Sequence, residues 1–200
     1  MNRFLLKKCS WLALILTLPQ IVFAQASEKS VARLWNEVTL SAIRKDYARP
    51  TVAARNLFHM SMIAYDGWAK YIPAAKNYYA IDKVPTTGWS QEAIASSQIK
   101  TISVASYLLI QKRFATSPQA PKVMEDAKQV ALKLGIDVDH LDQNDPAIVM
   151  GKTLGQMVIS FGEYDGSLEL ENYQSPVLDY IPLNPPMIVS SIQVATDLLS

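Results

Sequence analysis

The residues best suited to chemistry are gathered in one apolar stretch. Arg55, His59, Asp66 and Lys70 fall within about 60° of one another when the chain is wound at 100° per residue. Arg55, His59 and Asp66 are the set a small hydrolase would use, provided they share a cleft that shifts their pKa values. His59 and Asp66 are seven residues apart, however, or about 10.5 Å along a helix axis. That is too far for both to grip one first-row metal at ~2 Å. The spacing favours a polar network, with Arg55, His59 and Asp66 binding neighbouring helix ends and each other.

Other apparent motifs lack parts their chemistry requires. Gly151-Lys152-Thr153 has the ending of a phosphate-binding loop, but the earlier glycine is replaced by Pro146 and the tripeptide falls inside an expected helix. Asp137, Asp139, Asp142 and Asp145 resemble a calcium loop. An EF-hand starting at Asp137 would put Leu141 at a ligand position, Asp142 where glycine is needed and Ile148 in place of the bidentate glutamate. The Asp137–Asp145 stretch is therefore expected to be a solvated acidic loop, with a calcium site of another shape left open. His140 sits among these acids. With only two His, and no Cys once residues 1–26 are removed, a three-ligand zinc site would need carboxylates. No Gly-x-Ser-x-Gly elbow occurs.

The elements that must position these residues are expected to be helices. Val31, Leu34, Trp35, Val38 and Ala42 recur at helical spacing behind Ser27 or Ser30 as cap, and this helix should stop before Pro50. A second runs from about Thr51 to Tyr71 and is apolar on most sides, which predicts a central position in the bundle. Pro73 to Trp89 is a connection with a turn at Pro85-Thr86-Thr87-Gly88. Ser90 caps a third helix, buried along Ile94, Ile99, Ile102, Ala105 and Leu109 and ended by Ser117-Pro118. Ser96, Ser97, Ser103 and Ser106 are small enough to let a neighbour approach it. Pro121 opens a fourth helix, and Gly135 ends it with a left-handed turn over which Ile136 packs back. Asp145-Pro146 caps and starts a fifth, which Gly162 closes. Gly151 and Gly155 let another helix come close. Tyr164-Asp165-Gly166-Ser167 is then a turn, and Pro176, Pro182, Pro185 and Pro186 break any long element. The expected fold is all-α: about five helices followed by an irregular tail.

Composition agrees with one exported domain. The chain has 200 residues, half of them hydrophobic and 18% charged, with a net charge of +1. That excludes a disordered tail and gives no polybasic nucleic-acid surface. Asn2-Arg3 and Lys7-Lys8 precede an apolar run from Trp11 to Leu18, extended by Ile21-Val22-Phe23 and ended by Ala24-Gln25-Ala26. This is the pattern of a secretory signal peptide, with an apolar run shorter than the ~20 residues a bilayer span needs. Residues 1–26 are thus expected to be removed, leaving a helical domain over 27–162 and a tail over 163–200. Cleavage leaves 16 basic against 18 acidic residues, no Cys and no membrane span. The expected location is periplasmic or secreted.

Three stretches carry a resemblance. Val31 to Glu37, Ala42 to His59 (AIRKDYARPTVAARNLFH) and Ala64-Tyr65-Asp66-Gly67-Trp68 resemble the N-terminal helical region of exported bacterial proteins related to vanadium-dependent haloperoxidases. Asp165-Gly166-Ser167, Asn172-Tyr173 and Leu183-Asn184-Pro185-Pro186 are similar to the same group more loosely. The resemblance implies a mostly helical fold shared with the type 2 acid phosphatases, and vanadate or phosphate held by Lys, Arg and His side chains. The family supplies those groups from Lys-x6-Arg-Pro, Pro-Ser-Gly-His and Ser-Arg-x3-Gly-His. Here Arg49-Pro50 has Ala42 seven residues before Arg49, His59 follows Phe58, and His140 follows Asp139. No catalytic, cofactor-binding or metal residue is carried over. The chain is expected to be a non-catalytic front portion of such a protein, ended early, without vanadate of its own. Its partner would be a C-terminal catalytic half or a second copy of itself. The alternative is a self-contained periplasmic helical binding or scaffold module.

Overall fold

A computed structural model describes residues 29–79 and 81–174. Five helices occur there: α1 (Val31–Lys45), α2 (Pro50–Ala69), α3 (Gln91–Arg113), α4 (Ala120–Lys133) and α5 (Pro146–Glu163). Among the described residues there is no strand. The protein is an all-α bundle. The stretch expected to be a signal peptide, Ser27 and the prolines from Pro176 onward lie outside the described residues.

Local chemistry sets the helix starts. Ser30 and Ser90 accept hydrogen bonds from the backbone N–H groups of Arg33 and Ala93, and Asp145 does the same for Ala147. Each satisfies a donor that the first helical turn leaves orphaned. Proline stands in the first turn of α2, α4 and α5, where its missing N–H costs nothing. Gly135 takes φ +76° after α4, and Ile136 folds back so that its N–H reaches the Ala131 carbonyl and its side chain is buried. α1 ends at Lys45, before Pro50 as expected, where the N–H of Asp46 turns back to the Ile43 carbonyl. α3 ends at Arg113, four residues ahead of Ser117-Pro118.

The centre of the bundle is α3, not α2. α3 touches every other helix, and Ile102, Ala105, Leu109 and Ile110 lie in the core. Its small polar residues join the neighbours. Ser103 Oγ accepts from Trp35 Nε1 at 3.0 Å, and the Thr101 hydroxyl donates to the Ala147 carbonyl at 3.0 Å. α5 lies along α3 with glycine at the contact: a Cβ on Gly151 would come 2.8 Å from the Thr101 carbonyl oxygen, and one on Gly155 3.1 Å from Ala105 Cα. The contacts advance in the same sense on both helices, so the two run parallel. α2 is apolar on most sides but leaves one side bare; it packs against α1, α3 and α5 and exposes Phe58, Tyr65 and Trp68. Periodicity counts apolar residues without distinguishing a face turned to the core from one left bare.

Candidate functional site

Arg55 and His59 are one turn apart on α2 and point the same way. They meet the ends of α3 and α5. Gly162 makes the meeting possible, because a Cβ there would lie 2.6 Å from Arg55 Nη2 and 3.0 Å from His59 Cε1, and would strike the Arg113 guanidinium. Gly162 does not close α5, which continues to Glu163. Arg55 Nη2 donates to the Gly162 carbonyl at 2.6 Å, satisfying an acceptor left free by the end of the helix.

The chain then reverses at Gly166, φ +83°, and returns two carboxylates to the same place. Arg55 Nε donates to Asp165 Oδ2 at 2.7 Å, and Arg55 Nη2 also reaches Glu169 Oε2 at 3.0 Å. Arg113 Nη1 lies 2.9 Å from Glu169 Oε2. Arg113 Nη2 sits 3.2 Å from His59 Nδ1. A guanidinium only donates, so Nδ1 accepts and the imidazole carries its proton on Nε2. That Nε2 faces Asp165 at 3.6 Å, beyond hydrogen-bond reach. The side chains of Arg113 and His59 are each 1% exposed.

The electrostatics follow from this packing. Burial, aided by the Arg55 charge, lowers the His59 pKa against the opposing pull of Asp165 and Glu169, so the ring is held neutral. Burial pushes the Asp165 carboxyl up, but hydrogen bonds from Arg55 and Ser167 outweigh it and the pKa is lowered. Desolvation works against the Arg55 charge, and the two carboxylates more than restore it. Tyr173 lays its ring under Arg49 and Arg55, at 5.3 and 6.0 Å. Phe161 meets His59 edge-on at 6.0 Å. The cluster thus matches two cations with two anions, and its imidazole lone pair is already engaged by Arg113. A cleft of about 770 Å³ opens beside it, between Arg49, Arg113 and Tyr173. The cleft's cations are paired as well: Arg49 with Asp46 at 3.1 Å, Lys112 with Glu163 at 2.9 Å.

Asp66 and Lys70 do not join. Asp66 is fully buried, and its two oxygens accept from the backbone N–H groups of Tyr78 and Tyr79 at 2.6 and 2.9 Å. It fastens the α2–α3 connection back onto α2. Lys70 donates to the Asp82 carbonyl, and Lys83 donates to the Ala69 and Ile72 carbonyls at the end of the same helix. The four side chains share a helix face, as the spacing predicts, but a face is a line, and these two pairs sit at opposite ends of it. The expected network of Arg55 and His59 with a helix end is present at Gly162; its acids are Asp165 and Glu169 rather than Asp66. Asp165 lies in the turn that the sequence marks, whereas nothing local marks Glu169 or Arg113 as its companions.

The remaining candidates are spread among separate partners. Asp137 accepts from His140 Nδ1 at 2.8 Å, with the His140 side chain 82% exposed. Asp139 pairs with Lys128, and Asp145 pairs with Lys100 while capping α5. Among the described residues, no group of three or more His, Cys, Asp or Glu is arranged to hold a metal. Gly151-Lys152-Thr153 lies inside α5, with Gly151 against α3.

Set beside known proteins, the chain matches no family model, no curated protein and no solved structure.

The residues gathered here do not fit vanadate. Arg55 Nη1 and Arg113 Nε and Nη1 are buried donors without a hydrogen-bond partner, but an anion reaching them would sit against the negative charges of Asp165 and Glu169, which already neutralise the two guanidinium groups. It would also need an imidazole nitrogen free to bond vanadium, whereas Nδ1 of His59 accepts from Arg113.

Proposed function

We propose that this chain is an exported, non-catalytic helical module related to the N-terminal region of vanadium-dependent haloperoxidase-like proteins. The observation that carries this reading is the charge-matched Arg55–His59–Arg113–Asp165–Glu169 cluster. Arg55 and His59 are engaged by Asp165, Glu169, Arg113 and the Gly162 carbonyl, Asp66 is used on the backbone at Tyr78 and Tyr79, and the cluster ties the ends of α3 and α5 and the following turn to α2. In this reading catalysis belongs to a partner, either a separate catalytic half or a complex built on this module. Incubating the purified chain with vanadate, peroxide and bromide tests it. No halide oxidation above the protein-free blank is expected, and the vanadium-51 resonance should keep its width on titration. Turnover, or a stoichiometric vanadate complex, would overturn the reading.

A second reading has its own support. The five helices enclose one continuous core, from Trp35 on α1 through Ile102, Leu109 and Ala127 to Val158 on α5. A self-contained binding or scaffold module needs such a core. A single cooperative melt of the soluble chain, with coincident far- and near-ultraviolet transitions, favours it.

A further inference from the structure

Beyond Pro50, the exposed residues of α2 are Thr51, Ala54, Phe58, Ser61, Tyr65 and Trp68. Their spacing alternates three and four, so they form one continuous stripe along the helix. None is charged. The Ser61 hydroxyl is spent on the Leu57 carbonyl at 2.9 Å, and the Tyr65 hydroxyl on the Lys76 carbonyl at 2.8 Å. The stripe is therefore more apolar than its residue types imply. Phe58, Tyr65 and Trp68 keep 49%, 46% and 43% of their surface exposed. Solvated helix faces carry charges; this one carries three aromatic rings.

The order of large and small residues points to the occupant. Consider a two-fold axis crossing α2 at the level midway between residues 59 and 60, so that a second α2 runs antiparallel to the first. Thr51 then faces the Trp68 of the second copy, Ala54 faces its Tyr65, and Phe58 faces its Ser61. Every layer pairs one large side chain with one small one, and the two-fold repeats each pairing. Antiparallel helices interdigitate best in this way. A parallel pairing in register would instead stack Phe58 on Phe58, Tyr65 on Tyr65 and Trp68 on Trp68. No charge in the stripe opposes self-association. Beside Tyr65 and Trp68 an apolar groove of about 510 Å³, walled by Val31, Ala95 and Ile99, extends the surface.

We propose that α2 is a homodimer interface, with a second copy of this chain docked antiparallel across the two-fold axis. The area is modest. Three half-exposed aromatic residues contribute on the order of 100 Å² each, against the ~800 Å² per partner of a standard interface. The dimer is accordingly a weak, reversible one.

Sedimentation equilibrium of the full chain between about 1 and 100 μM tests this. A reversible monomer–dimer equilibrium is expected. Ala54→Tyr sets two large rings in one layer and Tyr65→Ala leaves a gap; each should weaken association roughly tenfold or more. The double variant Ala54→Tyr/Tyr65→Ala restores one large and one small residue per layer, and should return to within about threefold of the unsubstituted chain. Circular dichroism confirms that each variant is folded. With Cys9→Ser removing the native thiol, a spin label at Thr51→Cys reads the orientation: the copies of residue 51 lie at least ~25 Å apart if antiparallel, and roughly 10 Å apart if parallel. A monomer at all concentrations, a double variant no better than the single ones, or the short distance would each overturn the proposal.

Discussion

At Glu169 one carboxylate serves two guanidinium groups, and the cost of losing it sets the scale for the whole cluster. Its side chain is 11% exposed, while that of Arg113 is 1% exposed. A pair this dry is weak evidence of net stabilisation, because desolvation offsets attraction. Removing one partner is a different matter: it leaves a buried cation without a counter-charge. Glu169→Ala should cost about 3 kcal/mol, at the low end for a buried pair because Glu169 keeps some contact with water. Glu37→Ala provides the control. Glu37 pairs with Lys29 and Arg33 on an open helix face, where solvent screens the attraction, and its loss should be undetectable. Urea denaturation of the two variants reads both outcomes, and equal losses would contradict the buried-lock account.

The α3–α5 contact depends on missing side chains. A Cβ at Gly151 would lie 2.7 Å from Val104 Cβ and 2.8 Å from the Thr101 carbonyl oxygen, neither of which is the end of a flexible chain. At Gly155 the nearest atoms stand at 3.1–3.2 Å. Overpacking costs about 1–3 kcal/mol, against a helix-propensity gain of ~1 kcal/mol for alanine. Gly151→Ala should therefore destabilise clearly, and Gly155→Ala little. Thermal melts that reverse this order would show that the two helices shift apart freely. These glycines also mark what a sequence makes legible. Helix starts at Ser30, Ser90 and Asp145 and the stop at Gly135 are decided within four residues, so they can be read locally. Gly151 and Gly155 announce a close neighbour without naming it. The partnership of Arg55 with Asp165 and Glu169 spans more than a hundred residues and depends on where the turn after α5 returns. Asp66, conversely, has the angular position of a site residue and is used instead to hold the backbone at Tyr78 and Tyr79.

The pH dependence of folding belongs to the whole molecule, because several groups on different helices titrate against their packing. His59 has its pKa lowered from the ordinary 6.5, chiefly by burial. Below that ordinary value the unfolded chain takes up a proton that the folded one resists, so stability is full above about pH 6.5 and falls as the solution is acidified. His140 has the opposite sign: its hydrogen bond to Asp137 raises its pKa, so its contribution is present below 6.5 and lost as pH rises. With its side chain 82% exposed, solvent screens that contribution, and the buried ring prevails. A second decline comes lower, in the carboxylate range. The pKa of Asp126 is lowered by Lys45 and Lys122, and in Asp145 the bonds from Lys100 and the Ala147 N–H outweigh the upward push of burial. Asp165 behaves like Asp145, through Arg55 and Ser167. All three stabilise the fold above the ordinary carboxyl value of 3.8 and lose that contribution as pH falls below it. Urea midpoints measured from pH 8 to pH 3 should stay level to about 6.5, decline, and then drop more steeply near 4. His59→Gln lowers overall stability but should remove the first decline and leave the second. A first decline that survives in His59→Gln and disappears in His140→Gln would place the sensitive proton on the surface loop instead of in the cluster.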